Sequence, residues 1–369
     1  TTFGAIAFFY AFPLTQVKGV GLFFEDSQGQ ETGFEKGYYD LQDKMLNEVT
    51  TLAPQFEQEE DRHNSIALVS DLIKDFAATK ELGKVETSLI SLFQTPGAGL
   101  DEDEQKKFIR HVQEYVGKKA TLKTQAIKEG LFDILKDYPW DLKKRSSISR
   151  AANRLQHSSQ LGQIMQHDKA LQDSIGQSGF DAPAKKKLQE LSRQLKEWKI
   201  FEVYRKKMAN AQEKAGALED ASKNEILELL NQIGSGVNDA DGRTVQDKIR
   251  AWPQKGSDDL LKQVREILNL KLELDVIDHA KDFGEKLKTE ELSEGMNRQL
   301  IQEMAGLSQA RDSRQLSEIT GQIKDKLNME GTGIRDHLQD VAALKAQSLT
   351  ELIAVEIETW MADARMNEE

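Results

Sequence analysis

The chain has no cysteine, which excludes disulfides, thiolate zinc sites, iron–sulfur clusters and cysteine nucleophiles. That absence fits an exported or virion-associated protein better than a cytoplasmic one. Proline is also scarce, with 6 residues where about 18 would stand at an average usage of roughly 5%. Long helices therefore meet few breakers. Apolar runs are short: the uncharged, aromatic-rich stretch at residues 3–14 falls well below the ~20 residues a membrane-spanning helix needs. It also lacks the flanking positive charge and small-residue cleavage site of a signal peptide.

Motifs of chemistry are missing as well. No G-x-x-x-x-G-K-[ST] and no G-x-G-x-x-G following a strand occurs, so nucleotide and dinucleotide phosphates find no glycine cradle. No H-E-x-x-H or G-x-S-x-G occurs, and the six histidines are scattered in polar contexts. Glu60 and His63 form a single E-x-x-H, whereas a di-iron bundle needs two copies and two further glutamates. Asp275, Asp278, His279 and Asp282 fall within two helical turns and read as a solvated helix face rather than a metal or base site. The loop from Asn238 to Gly242 has glycine where an EF-hand needs it, but puts Val237 and Lys248 at the first and twelfth ligand positions, so calcium is not expected. No cofactor and no metal is expected anywhere in the chain.

What the chain does contain is helical periodicity. Hydrophobic residues make up 38% and charged residues 30% of 369 positions, ordinary for a folded protein long enough for two or three domains. From about Tyr38 onward, apolar residues recur at i, i+3, i+4 and i+7. Residues 65–76 read as a helix stopped by Gly83. A second begins at Asp101, where carboxylates meet the positive end of the dipole. Residues 182–215, opened by Asp181 and Pro183, form one long helix; a second follows Ser257 to Gly284 or Lys288, and a third runs from Ile334 to about Met366.

The expected fold is mainly α: a multi-helix bundle or elongated array with long helical hairpins and a small β-hairpin region at the N-terminus. The hairpin would pair residues 19–24 with residues 33–39 across a polar, glycine-containing turn, behind a buried strand at 3–14. Ten of the 25 aromatics lie before residue 40, which demands burial of that segment. The expected organisation is an aromatic-rich extended segment at 1–39, a helical bundle at 40–180, a long basic helix and hairpin at 181–233, and an acidic helical domain at 244–369. The breaks at 95–99, 176–181 and 234–244 are rich in glycine and small polar residues.

Charge is distributed unevenly. Residues 1–104 hold 7 Lys and Arg against 19 Asp and Glu, residues 105–215 hold 24 against 12, and residues 216–369 hold 19 against 31, giving net charges of −12, +12 and −12. The basic third contains Lys118-Lys119, Lys143-Lys144-Arg145, Lys185-Lys186-Lys187 and Arg205-Lys206-Lys207. Two readings follow: a surface for an anionic partner or membrane, or basic helices packed beside acidic ones. The candidate anion contacts are Lys143, Lys144, Arg145, Lys185, Lys186, Lys187, Arg205, Lys206 and Lys207; the candidate apolar contacts are Phe8, Phe9, Tyr10, Phe12, Phe23 and Phe24.

The function these features point to is a non-catalytic helical scaffold or interaction protein, such as an exported effector or virion component, that binds a protein partner through amphipathic helices. The alternative is a membrane-active protein of the α-pore-forming type using residues 3–24 and the basic third on an anionic surface. A second alternative is an enzyme whose site, near His279 or near Glu60 and His63, is assembled only in three dimensions. Nucleic acid is disfavoured because acidic flanks repel phosphates within a Debye length of about 10 Å. The long amphipathic helices also allow self-association.

Overall fold

In the computed structural model, residues 33–94, 101–138, 142–218, 220–235, 258–288, 294–310, 313–327 and 333–366 are described. The expected mainly α class holds: among the described residues there are twelve α-helices, one 3-10 turn and no strand. The chain divides into two compact units, residues 1–126 and 127–369.

The first unit contains α1 (Gly33–Leu52), the 3-10 turn Ala53–Gln55, α2 (Glu59–Ile73), α3 (Thr79–Gln94) and the start of α4 (Glu102–Lys136). Residues 33–39, expected as the second arm of a β-hairpin, instead open α1. The reason lies in spacing: Tyr38, Leu41, Met45, Val49 and Leu52 recur every three or four residues and are all buried, a stripe that only a helix places on one face. Tyr38 then stacks on Tyr115 of α4 with ring centroids 4.8 Å apart and hydroxyls 2.6 Å apart. The other hairpin arm and the strand at 3–14 lie outside the described residues. Gly83 is likewise no helix stop but sits inside α3, and α2 ends earlier, at Ile73.

The end of α2 is closed by a lysine from another helix. The buried Lys119 ammonium of α4 donates to the carbonyls of Leu72 at 2.8 Å, of Ile73 at 3.0 Å and of Lys74. Three acceptors engage all three N–H bonds of an ammonium, which caps the negative end of the α2 dipole. The rings of Phe76 and Tyr115 lie 5.0 and 5.7 Å from the nitrogen. Burial pushes the Lys119 pKa down to about 7, opposed by Asp75 and reinforced by Lys123. Asp101, as expected, caps α4 by accepting from the amides of Asp103 and Glu104.

The second unit contains the end of α4, then α5 (Leu142–Gln156), α6 (Leu161–Gly176), α7 (Ala182–Gly216), α8 (Asp220–Ser235), α9 (Asp258–Lys288), α10 (Glu294–Ser308), α11 (Ser313–Leu327) and α12 (Gly333–Met366). The three long helices expected from the sequence are α7, α9 and α12. At 1.5 Å per residue each is roughly 45–55 Å long. α9 packs on both α7 and α12. Its consecutive residues Ile267, Leu268, Asn269 and Leu270 are all buried, as a helix covered on more than one side requires. Phe283 and Leu287 of α9 continue into an apolar cluster with Leu300, Met304 and Leu307 of α10, Ile323 of α11, and Leu338 and Val341 of α12.

The break at 176–181 is a tight turn between packed helices. The Gln177 amide donates to Asp173 and the Ser178 hydroxyl to the Ile175 carbonyl, closing α6. Asp181 then caps α7, accepting from the Ala184 amide at 2.8 Å, with Pro183 in the first turn. α6 packs on α5 and α7, so α5, α6 and α7 form an up–down–up array in which the N-termini of α5 and α7 share one end.

Candidate anion-contact surface and the internal charge network

α5 carries Lys143, Lys144, Arg145, Arg150 and Arg154 and no carboxylate. Its buried stripe is Ile148, Ala151, Ala152 and Leu155, which leaves its first turn at the rim. There Lys143 is exposed, Lys144 and Arg145 are half-buried, and Leu142 is 70% exposed. The Ser147 and Ser174 hydroxyls, 3.0 Å apart, fix the start of α5 beside the end of α6. One turn on, Lys185 donates to the Gly176 carbonyl at 3.2 Å, while Lys186 and Lys187 are exposed. Tyr138, at the end of α4, packs its ring 4.4 Å from Phe180 and donates to Asp181 at 3.1 Å. Two basic triads 42 residues apart in sequence are thus brought to one end of the α5–α6–α7 array.

Cations at helix N-termini oppose the dipole by roughly 0.3–1 kcal/mol each. The first turn of α5 therefore gains nothing from its cations through the dipole, whereas Lys185 donates to the last residue of α6, the end where a cation is favoured.

The third triad is elsewhere. Arg205, Lys206 and Lys207 lie about 20 residues further along α7, roughly 30 Å away. Lys207 pairs with Glu266 of α9, and the Arg205 guanidinium lies 6.0 Å from the Tyr204 ring. Lys206 is exposed. The nine candidate cations thus divide into six at the end of the array and three beside α9.

Further pairs join α7 to α9: Lys214 with Asp259 at 2.5 Å, Glu197 with Lys281 at 2.7 Å, and Lys196 with Glu273 at 3.2 Å. As numbers rise on α7 they fall on α9, the signature of antiparallel helices.

The last pair belongs to a buried network. Glu273 is 1% and Lys345 of α12 0% exposed. Lys345 donates to both carboxylate oxygens of Glu273, at 3.0 and 2.7 Å, and Ser348 adds a bond at 3.1 Å. Burial pushes the Glu273 carboxyl up, but the ammoniums of Lys345 and Lys196 outweigh it and hold its pKa below the usual range. One carboxylate thus joins three helices and carries two ammoniums.

The sequence does bear a signal for this network. Lys345 sits seven residues after Leu338, four after Val341 and four before Leu349, all buried. A lone charge inside an apolar stripe has to be paired.

The motif candidates resolve differently. His63 is exposed, its Nδ1 2.8 Å from the Glu59 carbonyl of its own helix, and Glu60 is exposed too. Of the acidic run on α9, Asp275 pairs with Lys271, and the His279 ring lies 5.6 Å from His337. Lys286 donates to His337 Nδ1 at 3.3 Å, so His337 Nε2 carries the proton and donates to the His279 carbonyl at 3.0 Å. Burial pushes the His337 pKa down. Among the described residues no group of three His, Asp or Glu is placed to hold a metal. The loop from Asn238 to Gly242 lies outside the described residues, as do Phe8, Phe9, Tyr10, Phe12, Phe23 and Phe24.

Among the described residues no helix is long and apolar enough to cross a membrane. Comparison with protein-family models, curated proteins and solved structures finds no match to this chain.

Proposed function

We propose that the chain is a non-catalytic helical interaction protein that holds an anionic protein partner at the basic end of the α5–α6–α7 array. The observation that carries this reading is the convergence of Lys143, Lys144, Arg145, Lys185, Lys186 and Lys187 at that end, with Lys143, Lys186 and Lys187 exposed. Elsewhere in the unit, cations of the basic third meet carboxylates of α9. Exposed charge of one sign gathered at one end suits a partner of the opposite sign.

The test is affinity purification from cells that produce the protein, with the wild-type chain, a Lys143→Glu/Lys186→Glu/Lys187→Glu variant and a Lys206→Glu variant. The expected result is a partner held by wild type and Lys206→Glu, released as salt rises, and lost with the triple variant. A partner retained equally by all three forms contradicts the reading.

A further inference from the structure

Resting on that reading, we infer that the partner presents an acidic amphipathic helix, with carboxylates flanking a large apolar side chain that packs on Leu142. The first ground is Leu142 itself. It lies in the turn that carries Lys143, Lys144 and Arg145, outside the buried stripe of α5, and is the most exposed large hydrophobic side chain among the described residues. An exposed leucine in a basic turn matches an apolar anchor accompanied by carboxylates.

The second ground is spacing. α5 and α7 pack directly, and packed helices lie about 8–10 Å apart. Carboxylates seven residues apart on a helix are separated by about 10.5 Å along its axis, so one helix lying across both N-termini reaches both triads.

The third ground favours a protein over an anionic bilayer. The same end carries exposed carboxylates at Asp137, Asp173 and Asp181. A lipid surface meets these together with the cations, whereas a helix places its charges selectively. A single apolar residue also falls short of the broad apolar face by which interfacial helices enter a bilayer.

The experiment uses the full chain and a fluorescent synthetic helix of about 18 residues, five turns, bearing glutamates around a central leucine. Its Leu→Ser and Glu→Gln forms serve as controls, beside vesicles of phosphatidylserine and phosphatidylcholine. Saturable binding of the acidic helix is expected. It should weaken at least about tenfold for the Glu→Gln peptide and for Lys143→Glu/Lys186→Glu/Lys187→Glu, and about three- to tenfold for the Leu→Ser peptide and for Leu142→Ser. The substituted positions are at the surface, and circular dichroism confirms that each variant stays folded.

Equal affinity for the leucine and serine peptides overturns the anchor. Vesicle binding without peptide binding overturns the choice of a protein partner. If the purified partner is lost with the triple variant while no acidic helix binds, the inferred chemistry falls and the interaction reading stands; if all variants keep the partner, both fall.

Discussion

The start of α7 and the rest of it both carry lysines and use them in opposite ways. Near its start, Lys186 and Lys187 are exposed. Further along, Lys196, Lys207 and Lys214 each meet a carboxylate of α9. The start of α7 packs on α5 and α6, and its Lys186 and Lys187 stay exposed. From Lys196 onward α7 lies along α9, whose Asp259, Glu266 and Glu273 recur every seven residues. Seven residues are nearly two turns, so these carboxylates form one stripe along the seam. A basic segment is thus two different objects depending on what packs beside it.

The contrast breaks most severely at Glu273. Replacing it with Gln leaves two buried ammoniums without a counter-charge, and a loss on the order of 3–5 kcal/mol is expected in chemical denaturation. Lys345→Met should cost far less or raise stability, because it leaves Lys196 and Glu273 as a one-to-one pair. Equal losses from both variants would contradict the charge count of the network.

In the first unit, Lys119 sharpens the comparison by adding a buried cation that meets carbonyls instead of carboxylates. Its pKa is about 7 folded and near the ordinary lysine value of 10.5 unfolded. Below about pH 7 both states hold the proton and the burial cost is present in full. Between about 7 and 10.5 the unfolded chain binds a proton that the folded chain does not, so stability rises with pH by at most about 1.4 kcal/mol per unit from this group. Lys119→Met should flatten that rise between pH 7 and 9, as read by denaturation of the full chain at several pH values. An unchanged slope would show that Lys119 titrates normally.

Smaller effects separate the two parts of α7 directly. Asp181→Ala removes the α7 cap and the acceptor of Tyr138, for an expected loss of about 1 kcal/mol in thermal unfolding. Lys207→Ala leaves the half-buried Glu266 without its partner and should also cost about 1 kcal/mol. Lys186→Ala and Lys187→Ala should each stay within about 0.5 kcal/mol of wild type. A loss at Lys187 matching that at Lys207 would erase the distinction.

Much of the helical architecture is legible in the sequence. Asp181 with Pro183 marks the start of α7, and the apolar stripes after Ser257 and Ile334 locate α9 and α12 to within a residue or two. Residues 33–39 read as strand because Phe34, Tyr38 and Tyr39 favour extended structure; what decides is the continuation of their stripe through Leu41, Met45 and Val49. Gly83 reads as a stop because glycine so often ends helices, yet α3 runs through it with Leu82, Leu89 and Phe93 buried.

The candidate site was legible as residues and not as a place. Each basic triad is plain in the sequence, but their meeting depends on two tight turns that fold α5, α6 and α7 alongside each other. The internal network needed one further step, the recognition that Lys196, Glu273 and Lys345 interrupt apolar stripes on three separate helices.

The central claim is that the basic third of the chain divides into an outward-facing end and an internal network. Time-resolved lysine acylation of the native protein, resolved by mass spectrometry, tests it most directly. The account predicts rapid labelling at Lys143, Lys186 and Lys187, with Lys196 and Lys345 labelled only as fast as the chain unfolds. Labelling of Lys196 at the rate of Lys186 would contradict it.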